Sequence, residues 1–118
     1  MAKTATDPGY AACPIRNIVD RFGDKWSLLV LYNLHTGGRL RFSEIHRRMT
    51  DISQKMLAST LRRLEQDGLL SRTVYPEVPP RVEYTLTPTG YSLRPILDSM
   101  VAWGTGYQQQ MSGADSAD

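Results

Sequence analysis

Arginine and lysine side chains concentrate in the middle of this chain, between residues 39 and 63. Seven cations less two carboxylates give this segment a net charge of +5, and the overall charge of +2 then leaves −3 for the remainder. Serine and glutamine side chains lie among these cations. Long cationic and short polar side chains are the types that contact phosphates and base edges in DNA. The pattern therefore indicates a surface that binds a polyanion.

The stretch from Ser53 to Leu70 predicts a helix that presents part of this charge. Leu57, Leu61 and Leu64 recur at i, i+4 and i+7, which predicts a core-facing stripe. The opposite side is polar and basic and comprises Lys55, Ser59, Arg62 and Gln66. The serine that opens the stretch is expected to cap the helix, and the Asp-Gly pair near its end to terminate it.

A shorter helix is expected just before this one. Residues 39–41 would form a very short strand, Ser43 would cap the helix, and Ile45 and Met49 would face inward. Residues 50–52 would then supply a tight turn. Two short helices joined by a brief turn, the second basic on its free side, predict a helix-turn-helix.

The periodicity changes after Gly68. Residues 70–75 and 81–86 each predict a strand, and the three prolines between them cannot continue a ladder, so they mark the tip of a hairpin. A hairpin directly after the second helix of a helix-turn-helix is a wing. The expected fold is therefore mainly helical with a small β-hairpin, a winged helix-turn-helix.

The candidate DNA contacts come from both helices and the wing. Arg62 and Lys55 are expected to contact guanine edges or phosphates, and Gln54 and Ser59 to serve as smaller base contacts. The arginines of the first helix are expected to hold phosphates and the wing arginine the backbone or minor groove, with Arg72 a weaker candidate. The full set comprises Arg47, Arg48, Ser53, Gln54, Lys55, Ser59, Arg62 and Arg81. For each one alone, the alternative is a solvated surface side chain.

Apolar helices are expected at both ends of the domain. Pro14 suits the first position of the N-terminal helix. Thr87-Pro88 would open the last helix, with Pro95 marking a kink or its true start. Between them, residues 25–34 are apolar nearly all round and predict a central helix.

The apolar seam of the last helix is longer than one small domain can easily cover. Packing on the first helix of the same chain is one explanation, and a homodimer built from the terminal helices is the favoured one. The predicted dimer interface comprises Ile15, Ile18, Leu97, Met100, Val101, Trp103 and Tyr107. Trp103 and Tyr107 have two further explanations, as core residues or as the lining of a pocket for a small apolar ligand.

Length and composition suit one globular domain of 118 residues. No apolar run approaches the roughly 20 residues of a membrane span, and the N-terminal residues lack the apolar segment of a secretion signal. We therefore expect a cytoplasmic protein with no membrane partner. The expected bounds are a flexible arm at 1–12, the winged domain with its dimerisation helices at 13–111, and a disordered tail at 112–118.

Two histidines and one cysteine remain as candidates for chemistry. His35 and His46 lack a second metal ligand or a carboxylate pair nearby in sequence, so we expect no enzyme, no metal and no cofactor. His46 is expected to face solvent and His35 to cap a helix. Cys13 precedes a helix-opening proline, where the helix dipole favours a thiolate. The alternative is an inert, buried cysteine.

Several local strings occur together in a specific order. They are Cys13-Pro14, GDKW at 23–26, FSEI at 42–45, ISQKML at 52–57, LRRLEQDGL at 61–69 and VEYTLTPTG at 82–90. Together they resemble the HxlR-type family of bacterial winged helix-turn-helix transcriptional regulators, over residues 10–111. The resemblance implies a homodimer, with residues 53–67 as recognition helix and the terminal helices as interface. Several family members sense electrophiles or oxidants through the cysteine that matches Cys13, and others have no known effector.

We therefore expect a sequence-specific transcriptional regulator that binds a pseudo-palindromic operator in double-stranded DNA, with repression favoured over activation. Candidate redox sensing is assigned to Cys13. Two alternatives stay open: a winged-helix module that binds proteins, and a regulator that senses a small apolar ligand at the dimer interface. Affinity measured against salt concentration distinguishes DNA binding from binding through an apolar protein interface, because only DNA binding releases counterions.

Overall fold

The computed structural model describes residues 13–116, with side chains described as far as residue 113. The expected arm at 1–12 and the final two residues of the expected tail lie outside this part of the chain. The elements in chain order are α1 Pro14–Phe22, α2 Ser27–Gly37, β1 Arg39–Arg41, α3 Phe42–Arg48, α4 Gln54–Gln66, β2 Leu70–Tyr75, β3 Arg81–Leu86, α5 Pro88–Tyr91 and α6 Arg94–Ser116. The predicted fold, mainly helical with a small sheet, is confirmed.

The hydrophobic core forms around α2, as the apolar sequence of residues 25–34 predicts. Val30, Leu31 and Leu34 are buried on this helix. The other elements complete the core with Ile45, Met49, Leu57, Leu61, Leu64, Leu70, Leu86 and Leu97. The predicted leucine stripe of α4 is thus confirmed as core, and burial of these side chains drives the two helices of the helix-turn-helix onto α2.

The ends of α4 are those expected from the sequence. The Oγ of Ser53 accepts a hydrogen bond from the backbone N–H of Met56 at 3.0 Å, which satisfies one free donor of the first turn. Asp67 ends the helix, and Gly68 follows with a φ of +76°, a left-handed conformation that glycine adopts without strain. Local sequence therefore determines both ends of this helix.

The start of α3 differs from the expectation. Ser43 lies inside the helix, and Arg41 takes the capping position before Phe42. The reason is a side-chain bond from the first turn: the Glu44 carboxylate accepts the backbone N–H of Arg41 at 2.9 Å. The predicted cap at Ser43 was wrong by two residues, because the Glu44 carboxylate accepts the backbone N–H of Arg41 and so closes the first turn at that residue.

A three-stranded antiparallel sheet joins the wing to the helix-turn-helix. Its strand order is β1-β3-β2, so the β2–β3 hairpin is extended by the short strand that precedes α3. Arg39 pairs with Thr85, and Leu70 pairs with Leu86. The wing is therefore bonded through its backbone to the segment that leads into the DNA-binding helices.

The C-terminal region differs from the expectation in two ways. Thr87 does cap a helix, accepting from Gly90 N–H at 3.1 Å, but that helix is the short α5. The long helix begins at Arg94, so Pro95 stands near its true start, one of the two outcomes expected. It then continues to Ser116, into the segment expected to be a disordered tail. Once a helix is nucleated, each added residue gains a backbone hydrogen bond, which the small polar residues at 112–116 do not prevent.

Candidate nucleic-acid interface

The free side of α4 carries the residues predicted to read DNA. Gln54, Lys55, Ser59 and Arg62 are all exposed, as is the capping Ser53. The leucines on the other side are buried, which fixes the rotation of the helix about its own axis. Thr60 is also buried, and its hydroxyl donates to the Met56 carbonyl at 2.8 Å. The structure thus exposes all five predicted contacts: Ser53 and Gln54 at the start of α4, and Lys55, Ser59 and Arg62 along its polar side.

The arginines of α3 flank this surface. Arg47 and Arg48 are both exposed, and Nη1 of Arg48 lies 3.5 Å from the Thr36 hydroxyl of α2. His46 does not face solvent as expected. Its Nε2 donates to the carbonyl oxygen of Ile52 at 2.9 Å, because a carbonyl only accepts. The histidine therefore fixes the turn between α3 and α4, and the expectation failed because its partner lies in that turn.

Arg81, the predicted wing contact, already has partners within the wing. Its Nη2 lies 3.1 Å from the Glu77 carboxylate, and its guanidinium stacks 4.0 Å from the centre of the Tyr75 ring. Its Nε is buried and has no hydrogen-bond partner among the described residues. The structure does not bring this arginine onto the exposed surface of α4, and its charge is partly neutralised where it lies.

A second wing arginine stands closer to the recognition surface. A cleft of about 370 Å³ separates α4 from the wing and is lined by Phe42, Ala58, Arg62, Glu65, Arg72 and Tyr84. Arg72 is exposed on β2 and shares this cleft with Arg62. Arg72 was predicted as a weaker contact than Arg81, yet its cross-strand pairing with Tyr84 places it on the face of the wing that lines this cleft.

Two other arginines of the basic segment form ion pairs with carboxylates of the same chain. Arg63 forms an ion pair with Asp24 at 2.9 Å. Arg39 donates to the Tyr75 hydroxyl at 2.7 Å and lies 3.5 Å from the Glu83 carboxylate. These contacts divide the basic segment into arginines that pair with carboxylates of the same chain and arginines that have no such pair among the described residues, a division that the net charge of the segment does not reveal.

The pKa of Asp24, the partner of Arg63, reflects the hydrogen bonds that its carboxylate accepts. Burial alone raises the pKa of its carboxyl group. Hydrogen bonds from the Ser27 side chain, the backbone N–H groups of Trp26 and Ser27, and Arg63 outweigh that effect and hold the pKa below its usual value. The carboxylate thus stays charged while it caps the start of α2, with 3.0 Å bonds from both N–H groups.

The terminal helices present a broad apolar surface. Ile15 is 68% exposed and Trp103 is 71% exposed, whereas an apolar side chain in a core is covered. Ile18, Met100, Val101 and Tyr107, also predicted for the interface, are exposed too. The Trp103 and Tyr107 rings stack 5.2 Å apart, and neither is a core residue.

Leu97 is the exception among the predicted interface residues. It is only 4% exposed and belongs to the core of its own chain, so its assignment to the dimer surface was wrong. The first turns of α6 pack on α2, and the apolar seam of α6 becomes exposed beyond them. Periodicity identified the apolar side of the helix but not where its own chain stops covering it.

Cys13 stands at the capping position of α1 and is half buried. Its side chain makes no capping hydrogen bond, and its carbonyl accepts from Asn17, at 3.2 Å from the backbone and 3.1 Å from the side chain. The position before Pro14 at the start of a helix is the one expected from the sequence. The thiol is therefore neither fully buried nor bonded to the helix it caps.

His35 lies in the last turn of α2 and forms hydrogen bonds with α6. Its Nε2 is 2.8 Å from Asp98, and its Nδ1 accepts from Arg94 Nε at 3.0 Å. The expectation of a helix-capping His35 was wrong, because its ring is turned toward α6. Within residues 13–116 no cluster of three or more acidic, histidine or cysteine side chains is placed to hold a metal, and no helix has the length and apolarity of a membrane span.

Comparisons with known proteins agree with this geometry. The profile described as HxlR-like helix-turn-helix matches residues 21–112. An uncharacterized HTH-type transcriptional regulator of Methanothermobacter thermautotrophicus is 53% identical, over 93% of this chain and 94% of its own length.

Two solved structures are also similar. The redox regulator HypR in its reduced form is 39% identical with a TM-score of 0.79, covering 86% of this chain and 99% of that one. The reduced form of the transcriptional regulator YodB from Bacillus subtilis is 40% identical with a TM-score of 0.68, covering 77% and 89%.

Proposed function

This chain belongs to the HxlR-like helix-turn-helix family of transcriptional regulators, and we propose that it binds a specific operator in double-stranded DNA as a homodimer. The observation that carries the proposal is the exposed polar and basic side of α4, opposite a side buried in the core. Repression is the favoured outcome, since a dimer bound to an operator excludes other proteins from that DNA. The description of its relatives as regulators supports a role other than catalysis.

The proposed contacts follow from exposure and reach. Arg62 and Lys55 are exposed cations on α4 and are assigned to guanine edges. Gln54 and Ser59 contribute shorter base contacts, and the exposed arginines of α3 hold phosphates. Arg72 joins this set because it shares a cleft with Arg62. Arg81 is assigned a backbone contact that competes with its own ion pair to Glu77.

Homodimerisation is proposed through the exposed apolar residues of α1 and α6. A soluble monomer rarely exposes so many large apolar side chains on one side. A two-fold dimer presents two copies of α4, so the operator is expected to be pseudo-palindromic. We place the complex on the nucleoid in the cytoplasm, in keeping with its DNA partner.

We further propose that Cys13 senses oxidants or electrophiles. HypR is described as a redox regulator, with structures of its oxidised and reduced forms, and YodB has been solved after diamide treatment. This chain has one cysteine, which limits the products. Two thiols from two subunits can lose two protons and two electrons to diamide to form a disulfide. Alternatively, diamide takes two protons and two electrons from one Cys13 thiol and one small thiol, which leaves a mixed disulfide, or the Cys13 thiol adds to an electrophile.

A small apolar effector is a second candidate signal. An open groove of about 320 Å³ lies between α2 and α6, with Leu28, Leu29, Tyr32, Leu97, Met100 and Val101 as its lining. The residues that line it are almost all apolar, the composition of a small-molecule site. The same groove borders the proposed dimer surface, so a ligand there would act on the arrangement of the two subunits.

DNA binding is tested by footprinting the purified protein on genomic DNA and measuring affinity for the recovered sequence against salt. We expect affinity to fall steeply as salt rises, because bound arginines and lysines release counterions. A protein that binds no DNA at low salt, or whose recovered partner is a protein bound independently of salt, would contradict the proposal and favour a protein-interaction module.

The role of Cys13 is tested by titrating wild type and Cys13→Ser with diamide or a quinone while operator binding is followed. We expect wild type to change affinity and the variant not to respond. Equal responses from the two proteins would exclude Cys13 as the switch.

A further inference from the structure

The C-terminal end of α4 is tied by an ion pair to the N-terminal helix. Nη1 of Arg21, in the last turn of α1, lies 3.0 Å from Oδ1 of Asp67, the residue that ends α4. The two residues are 46 positions apart in sequence. No residue of α1 is fully buried, so apolar packing alone holds this helix loosely.

A second ion pair, one turn earlier on α4, joins this helix to the segment at the start of α2. Nη2 of Arg63 lies 2.9 Å from Oδ1 of Asp24 and also donates to the Ser27 hydroxyl. Ser27 is fully buried, and its hydroxyl donates to Asp24 at 2.6 Å. Arg63 is therefore bonded to groups that are themselves fixed at the start of α2.

We propose that these two ion pairs, Arg21–Asp67 and Asp24–Arg63, form an ionic clamp that sets the orientation of α4 relative to α1 and the start of α2 and thereby positions its DNA-reading side. The proposal rests on the DNA binding proposed above. None of the four residues is assigned a DNA contact. They are positioning residues, which act on the operator only through α4.

A small tilt of α4 at the clamp produces a larger displacement at the far end of the helix. The clamp holds the last turn of α4, whereas the residues assigned to bases lie from Gln54 to Arg62. At 1.5 Å per residue, the helix is about 20 Å long, so a tilt of about 5° at the clamp moves the far end by nearly 2 Å. That displacement exceeds the tolerance of a hydrogen bond to a base edge.

Charge provides a test that separates positioning from simple attraction to DNA. Asp67→Asn removes a negative charge from α4, which by Coulomb's law raises affinity for DNA. The same change removes a carboxylate from the negative end of the helix dipole, so it does not weaken the helix. If the clamp positions α4, Asp67→Asn must instead lower operator affinity.

The experiment measures operator affinity over a range of salt for wild type, Asp67→Asn, Arg21→Gln and the double variant. We expect each single change to lower affinity about three- to tenfold, and the double variant to lose no more than either single one. The salt slope should stay unchanged because no phosphate contact is lost. Asp67→Asn binding as tightly as wild type or more tightly would overturn the clamp.

Asp51→Asn is the matched control. Asp51 is an exposed carboxylate in the turn before α4 and has no ion pair among the described residues. Its neutralisation should leave affinity unchanged or raise it. An equal loss of affinity in this variant would show that neutralising any nearby carboxylate has the same effect, and would overturn the clamp.

Amide hydrogen exchange on the free protein gives a readout that does not depend on DNA. We expect faster exchange in the last turns of α1 and α4 in Asp67→Asn and Arg21→Gln, but not in Asp51→Asn. Unchanged exchange in the first two variants would also overturn the clamp. If wild type binds no DNA, the proposed function fails, while the exchange data still decide whether the ion pairs hold α4.

Discussion

The helices α4 and α6 are both amphipathic, yet their apolar sides differ in how far their own chain buries them. The leucines of α4 are buried by α2 and the wing of the same chain. On α6 only Leu97 is fully buried among the described apolar residues, and from Met100 onward the apolar side is exposed. The apolar side of α4 is thus covered within one chain and its polar side is exposed, whereas most of the apolar side of α6 is left uncovered by its own chain, in keeping with the proposed dimer.

The largest effect is expected from breaking the buried side of α4. Leu61→Ala should lower the free energy of unfolding by about 2–5 kcal/mol, because it removes core contacts and leaves a cavity. Urea denaturation at fixed protein concentration measures this. Met56→Ala, on the exposed side of the same helix, is the control and should change stability by no more than about 0.5 kcal/mol. Similar losses from both variants would remove the distinction between the two sides.

A substitution on the exposed side of α6 should weaken the association of the two subunits rather than the stability of the fold. Trp103→Ala is expected to weaken the dimer by about 2 kcal/mol, or roughly 30-fold, if the tryptophan is a central contact. Sedimentation over a range of concentrations measures the dissociation constant. Gln109→Ala, on the opposite side of α6, should leave that constant unchanged. A wild-type protein that sediments as a monomer at micromolar concentration would refute the dimer itself.

A substitution on the polar side of α4 should change DNA binding, but neither the stability of the fold nor the association of the subunits. Arg62→Ala is expected to weaken operator binding by about 1–3 kcal/mol if the arginine contacts a guanine, with a smaller loss on unrelated DNA. Fluorescence anisotropy with both DNAs measures the difference. Gln66→Ala, exposed one turn later, provides the control. Unchanged operator affinity in Arg62→Ala would mean that another surface reads the DNA.

The smallest effect is expected from pH on the stability of the fold. It tests the carboxylate of Asp24, which holds α4 through its ion pair with Arg63. The pKa of Asp24 is lowered on folding from its ordinary value of 3.8. The stability that this carboxylate contributes is therefore present above about pH 4 and is lost as pH falls through the lowered pKa. Asp24→Asn should therefore show a weaker acid dependence of unfolding than wild type. An identical acid dependence in Asp24→Asn and wild type would contradict this assignment.

Local signals account for what the sequence predicted correctly. Ser53 and Gly68 mark the ends of α4 through their own backbone preferences, and the leucine spacing marks its buried side. Contacts between distant segments left no such signal. The ion pair of Asp24 with Arg63 and the burial of Leu97 depend on how helices pack, which spacing along one helix does not encode. The predicted DNA contacts of α4 are confirmed as exposed, and their contacts with DNA stay predictions.

The pairing of β1 with β3 has a consequence for the shape of the DNA that this protein can accept. Because Leu40 on β1 is buried and paired in register with Tyr84 on β3, backbone hydrogen bonds join the hairpin to the strand that leads into the helix-turn-helix. We therefore expect the spacing between the wing and α4 along the double helix to be fixed. An operator must present its groove contacts at that fixed interval, and one inserted base pair between them would rotate one contact by about a tenth of a turn out of reach.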